Sequence, residues 1–138
     1  FAQCGADGIT VHAEACQDLE ATLKKNKEQK VKCAVAINPD TEIEKIESVL
    51  HMVDMVLIMS VFPGFGGQKF ITDSIEKLKK LDRVRTEKNL DFIIEVDGGV
   101  NVDNVKEISK SGADWIVAGT AIFSGNINDN IMKIKEEI

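Results

Sequence analysis

The sequence predicts an α/β fold, a partial (β/α)8 TIM barrel of about five βα units forming a single domain over residues 1–138. Three observations carry this. Short apolar runs rich in β-branched residues alternate with segments whose apolar positions recur every three or four residues, an order that demands parallel strands joined by right-handed crossovers. The segment after the first run, His12-Ala13-Glu14-Ala15, lacks the glycine fingerprint of an open dinucleotide-binding sheet, whereas glycine-rich segments follow later runs. A complete barrel takes about 250 residues, or about 31 per unit. Five units in 138 residues take about 28 each, so roughly five-eighths of a barrel is expected.

The strands are expected at Gly8–His12, Val31–Ile37, Met55–Val61, Phe92–Val96 and Trp115–Ala118, apolar on both faces as in a buried parallel sheet. Between them Ala15, Leu19 and Leu23 form a first helical stripe, and Ile43, Ile46, Val49 and Val53 a second. Ile71, Ile75, Leu78 and Leu81 form a third, Val102, Val105 and Ile108 a shorter fourth, and Ile127, Ile131, Ile134 and Ile138 the last. Thr41-x-x-Glu44 and Asp73-x-x-Glu76 fit capping boxes, and Asn101 is placed to cap its helix. Phe1 to Asp7 reads as the end of a helix with a glycine stop, so sequence upstream of Phe1 is expected.

Composition narrows the function. With 17 basic against 23 acidic residues the net charge is −6, without the basic footprint of a nucleic-acid binder. No apolar run approaches the roughly 20 residues that cross a bilayer, so no membrane partner is expected. Cys4, Cys16 and Cys33 are odd in number and lack paired metal-ligand spacing, which favours a reducing, cytoplasmic setting. Two strand edges left unpaired by a partial barrel favour a homo-oligomer.

Polar and glycine residues gather at the strand C-terminal ends: His12, Asn38, Ser60, Asp97 and Gly119. In a barrel these share the rim that carries active sites, although strands also end in turn-forming residues for purely structural reasons. Pro63-Gly64-Phe65-Gly66-Gly67-Gln68 fits a flexible surface turn or a cradle of backbone amides for an anion. Asp97-Gly98-Gly99 and Gly119-Thr120, if on the last two strands of a barrel, occupy its usual phosphate position; otherwise they are tight turns. Asp97 ends the run Phe92 to Val96, where an acid serves as general base, metal ligand or turn starter. His12 and Cys16 are four apart, but a strand-end histidine satisfied at the rim is the better reading of that pair, and Met52, Met55 and Met59 read as core filler.

Several runs resemble the ribulose-phosphate 3-epimerase family: Met59 to Phe70 with its Pro-Gly-Phe-Gly-Gly-Gln core, Ile94 to Val100, Gly112-Ala113-Asp114, Val117 to Phe123, and Ala36 to Thr41. Cys4 to Thr10 and His12-Ala13-Glu14-Ala15 resemble the fourth strand of that family and its approach. The resemblance spans essentially the whole chain. It implies a (β/α)8 barrel of the ribulose-phosphate-binding type that interconverts D-ribulose 5-phosphate and D-xylulose 5-phosphate, a sugar-phosphate isomerisation of the pentose phosphate pathway. It implies proton transfer at C3 through a 2,3-enediolate stabilised by one divalent metal ion (zinc, iron, manganese or cobalt). Asp97 is implied as one of two opposed acids and as a metal ligand. Gly64, Phe65, Gly66, Gly67, Gly98, Gly99, Gly119 and Thr120, with Asp97, are implied to hold the substrate and its phosphate.

The sequence departs from the family in three respects. Phe62 replaces a small polar or acidic residue, and Thr120 replaces the usual serine. The strands that carry the second acid, two metal-binding histidines and a substrate-contacting serine have no counterpart here, so this chain alone is expected to be inactive. A six-carbon ketose-phosphate 3-epimerase and a non-catalytic phosphate-binding remnant are the alternative expectations.

Overall fold

A computed structural model describes all 138 residues. Five strands, β1 (Gly8–His12), β2 (Lys32–Ile37), β3 (Met55–Met59), β4 (Ile93–Asp97) and β5 (Trp115–Val117), pair in sequence order. Every pairing is parallel. The helices are α1 (Leu19–Glu28), α2 (Ser74–Glu87), α3 (Val105–Lys110), α4 (Thr120–Phe123) and α5 (Ile127–Glu137), so the architecture is a partial barrel of five βα units. β1 matches its expected range, while β3 stops at Met59 and β5 at Val117, before the turns that carry the polar residues.

Register sorts the side chains by face. Val11, Val35, Val56 and Ile94 share one lateral row, and Ile37, Ile58, Val96 and Ile116 another. These rows lie under the helices: Val35, Val56, Ile94, Ile37, Ile58 and Val96 are fully buried, as are Leu23, Leu78, Leu81, Val105 and Ile108 opposite them. The alternate rows form the barrel's inner face. One contains His12, Ala36, Leu57, Glu95 and Trp115; the tier above it contains Met59, Asp97 and Val117. That face is partly open, with Trp115 55% exposed.

Residues 43–53 differ from expectation. They form two 3-10 segments, Ile43–Lys45 and Glu47–Met52, rather than an α-helix. Ile43, Ile46 and Val49 are spaced by three, which aligns in a helix of three residues per turn, and with Val53 all are buried. The last stripe is only partly covered: Ile134 is buried, while Ile127 and Ile138 are exposed.

Neither capping box forms. The Thr41 hydroxyl donates to Glu14 instead, Glu44 pairs with Lys80 at 2.6 Å, and Glu76 with Lys79 at 2.7 Å. Asp73 precedes α2 without any side-chain capping bond. The Asn101 side chain accepts from Asp103 N–H at 2.9 Å, one turn before α3 begins. The caps that do form are Asp18, accepting from Ala21 N–H at 2.9 Å, and Asn126, accepting from Asn128 N–H at 3.1 Å. Each stands directly before the first apolar residue of its helix, the ordinary N-cap signal.

Candidate active site

The C-terminal ends of β3, β4 and β5 bring three glycine-bearing loops together. Ser60, fully buried, ties the first two: its N–H donates to Asp97 O at 2.9 Å, and its hydroxyl reaches Asp97 O at 2.9 Å and Gly98 O at 2.7 Å. Gly98 (φ 124°) lies so close to Val61 that a Cβ there would sit 2.9 Å from the Val61 nitrogen. Gly99 (φ 65°) lies against Phe70 and Gln68, where a Cβ would come within 2.7 Å of Phe70 Cα. Gly67 faces Thr120, whose hydroxyl would lie 3.9 Å from a Cβ added to it. The chain reverses here through left-handed backbone that favours glycine.

These loops enclose a cavity of about 1040 Å³. Gly64, Phe65, Gly66, Gly67, Asp97, Gly98, Gly99, Gly119 and Thr120 all line it, together with Met59. The main-chain N–H groups of Gly64, Phe65, Gly66, Gly67, Gly98, Gly99 and Gly119 donate to no acceptor within the protein. Amides without a partner in the protein are available to an anion, since they present positive ends, and Lys69 also lines the cavity. Phe62 and Phe65 are exposed at the mouth.

Asp97 stands on the tier of Met59 and Val117, facing the barrel interior. Burial pushes its carboxyl above the usual aspartate range. Glu95, one tier deeper on the same face, is raised by burial and then by the charge of Asp97. An acid raised toward neutrality is better matched to taking and returning a proton.

Two of the strand-end residues stand apart. Glu14 accepts from Asn38 N–H at 2.8 Å and from the Thr41 hydroxyl, and its other oxygen lies 3.3 Å from His12 Nδ1. Lys77 donates to the carbonyls of Asn38, Pro39 and Thr41 at 3.1, 2.6 and 2.6 Å. His12 and Asn38 thus belong to a bracing network on the β1 and β2 side, and neither lines the cavity. Two side chains with no role assigned from the sequence also shape these loops: Gln68, which donates to Phe62 O and Phe65 O, and Asn104, which donates to Gly99 O at 3.1 Å. The signal for Asn104 was its place three residues after Asn101; for Gln68 it was adjacency to the glycine run.

No group of three or more His, Cys, Asp and Glu side chains is placed to hold a metal ion. Asp97 is a single candidate ligand, and one carboxylate does not make a site for a divalent ion, which takes at least three or four donors. The residues of this chain therefore do not by themselves fit the metal that the sequence resemblance implies.

Fold and cavity together define a class: a βα-barrel protein whose strand-end loops bring an interior-facing strand-end acid, Asp97, together with unsatisfied backbone amides. Residues 1–123 match the Ribulose-phosphate 3 epimerase family. The chain belongs to that family. It is 48% identical over 124 residues to the ribulose-phosphate 3-epimerase of Bacillus subtilis (strain 168), a match covering 89% of this chain and 57% of the relative. It is 42% identical over 136 residues to the ribulose-phosphate 3-epimerase of Aquifex aeolicus (strain VF5), covering 98% of this chain and 61% of the relative. The chain thus spans somewhat over half the length of the curated relatives it matches. The crystal structure of 3-hexulose-6-phosphate synthase from Salmonella typhimurium superposes with a TM-score of 0.68 at 22% identity, over 98% of this chain and 63% of that one, a likeness of fold.

Proposed function

We propose that the protein acts in the interconversion of D-ribulose 5-phosphate and D-xylulose 5-phosphate, a cytoplasmic step of the pentose phosphate pathway. The observation that carries this is the placement of Asp97 in one cavity with the free amides of three glycine loops. The amides would grip the phosphate dianion, and that remote binding energy would orient C3 of the ketose toward Asp97. The carboxylate of Asp97 would take the C3 proton, which is acidified by the neighbouring ketone, from its own face of one epimer, and in the reverse direction its carboxylic acid would protonate the enediolate on that face. Inversion needs a second acid on the opposite face, and the sequence resemblance assigns that acid and the metal-binding histidines to strands preceding the fourth. In this proposal the 138 residues supply phosphate binding and one of the two proton transfers, and by themselves do not turn substrate over.

A chimera tests the assignment: the first three βα units of the Bacillus subtilis relative, which the sequence resemblance places ahead of this chain, joined to residues 1–138. The chimera is expected to epimerise D-ribulose 5-phosphate, and Asp97→Asn within it to lower turnover by about 10²–10⁴-fold. Asp97→Asn turnover within a few-fold of the parent would contradict the role of Asp97. We further propose that the isolated chain self-associates through the unpaired edges of β1 and β5. Sedimentation that rises with concentration is expected, and a monomer at every concentration would contradict it.

A further inference from the structure

The three loops treat their carbonyls and amides oppositely. Ser60 occupies Gly98 O, Asn104 occupies Gly99 O, and the Gln68 side chain occupies both Phe62 O and Phe65 O, whereas the neighbouring amides stay free. The loop over residues 62–70 is the extreme case. No backbone–backbone hydrogen bond involves any of its residues, and the loop is closed only at its base, where Ile71 N–H donates to Ser60 O at 2.9 Å. The bonds that fix its main chain are therefore the two from Gln68 Nε2, at 2.7 Å to Phe62 O and 2.9 Å to Phe65 O. Both hydrogens of one carboxamide are spent on this.

Peptide geometry turns that clamp into a donor array. In a planar trans peptide the carbonyl and the next N–H point in opposite directions. Pinning Phe65 O to Gln68 therefore aims the Gly66 N–H away from Gln68. The Phe62–Pro63 peptide has no N–H to misdirect. Holding both carbonyls also keeps their negative ends from an incoming anion.

We propose that Gln68 is a positioning residue: its carboxamide pins the Phe62 and Phe65 carbonyls and so holds the amides of Gly64 to Gly67 ready for a phosphate group. This rests on the assignment of the glycine loops as the phosphate site. Gln68 itself touches no substrate; it sets the entropy that binding must overcome, since an unpinned loop of three glycines in four residues would have to be ordered by the ligand.

The test is a titration of the 138-residue chain with inorganic phosphate, followed by backbone amide chemical shifts, for the native sequence, Gln68→Met and Gln68→Glu. The native chain is expected to show saturable shifts at Gly66, Gly67 and Gly99. Gln68→Met keeps the length but donates nothing, and is expected to weaken binding about tenfold. Its melting temperature should stay within about 2 °C, because none of residues 61–70 is buried. Gln68→Glu adds a negative charge beside the site and should weaken binding further. Binding by Gln68→Met within twofold of the native chain would overturn the clamp while leaving the phosphate site standing. A native chain without saturable shifts at these amides would overturn both together. Hydrogen exchange at the Gln68 side-chain amide of the native protein gives a check that needs no variant: slowed exchange supports the clamp, and exchange at the rate of a free carboxamide overturns it.

Discussion

Replacing Gly99 with alanine should destabilise the chain and distort the anion site at once. At φ 65° an alanine pays the left-handed penalty of about 1–2 kcal/mol. Its Cβ would also lie 2.7 Å from Phe70 Cα and 2.9 Å from Gln68 O. Both are main-chain atoms that have no rotamer to escape into, so the loop must shift, at an overpacking cost of about 1–3 kcal/mol. The sum is about 3 kcal/mol, and with a urea dependence near 2 kcal/mol per molar the unfolding midpoint should fall by about 1.5 M. Gly66→Ala is the control: nothing lies within 4 Å of its Cβ and its φ lies outside the left-handed range, so its midpoint should match the native one. The two variants are compared by urea unfolding followed by circular dichroism. A Gly99→Ala midpoint equal to that of Gly66→Ala would refute the claim that the β3 and β4 loops abut through Gly99.

Other consequences are independent of that contact. Ser60→Ala removes the hydroxyl that bridges Asp97 O and Gly98 O and should cost about 1–2 kcal/mol in denaturant unfolding. Burial pushes the Glu14 carboxyl up, but the Asn38 N–H and the Thr41 hydroxyl, with its own N–H and His12, together hold it below the usual range. Its stabilising contribution is thus fully present above the unfolded value of about 4.3 and is lost as pH falls through the lower folded value. Glu14→Gln should therefore flatten the acid limb of stability against pH and cost about 1 kcal/mol at pH 7. Asp97 has the opposite sign: its folded value is raised by burial, so its contribution is favourable below the unfolded value of about 3.9 and is lost as pH rises through the folded one. Asp97→Asn should raise the melting temperature of the chain at pH 7 while lowering turnover of the chimera by the factor given above, a trade common where an acid is held partly desolvated.

The strands were legible because a parallel sheet covered by helices demands apolar residues, and Val56, Ile58, Ile94 and Val96 announce that directly. The candidate site was only half legible: the glycine runs fitted surface turns as well as an anion cradle, and the family resemblance singled them out, while the steric need for glycine, as at Gly98 with φ 124° against Val61, emerges only once the loops meet. What was not legible depends on partners far apart in the chain. Thr41 and Glu44 carry a capping-box pattern, yet Thr41 bonds to Glu14, 27 residues away, and Glu44 to Lys80, 36 residues away. Local pattern cannot weigh those offers against the local one, because they exist only once the loops have met. The 3-10 segments of residues 43–52 were hidden for a related reason: a stripe spaced by three serves either helix type, and packing against the sheet decides.

The most direct test of the shared cavity is a crystal structure of the chain with D-ribulose 5-phosphate. The phosphate should accept hydrogen bonds from amides of all three loops, after β3, β4 and β5, with C3 turned toward the Asp97 carboxylate. A phosphate bound outside those loops, or a sugar whose C3 lies away from Asp97, would contradict the account.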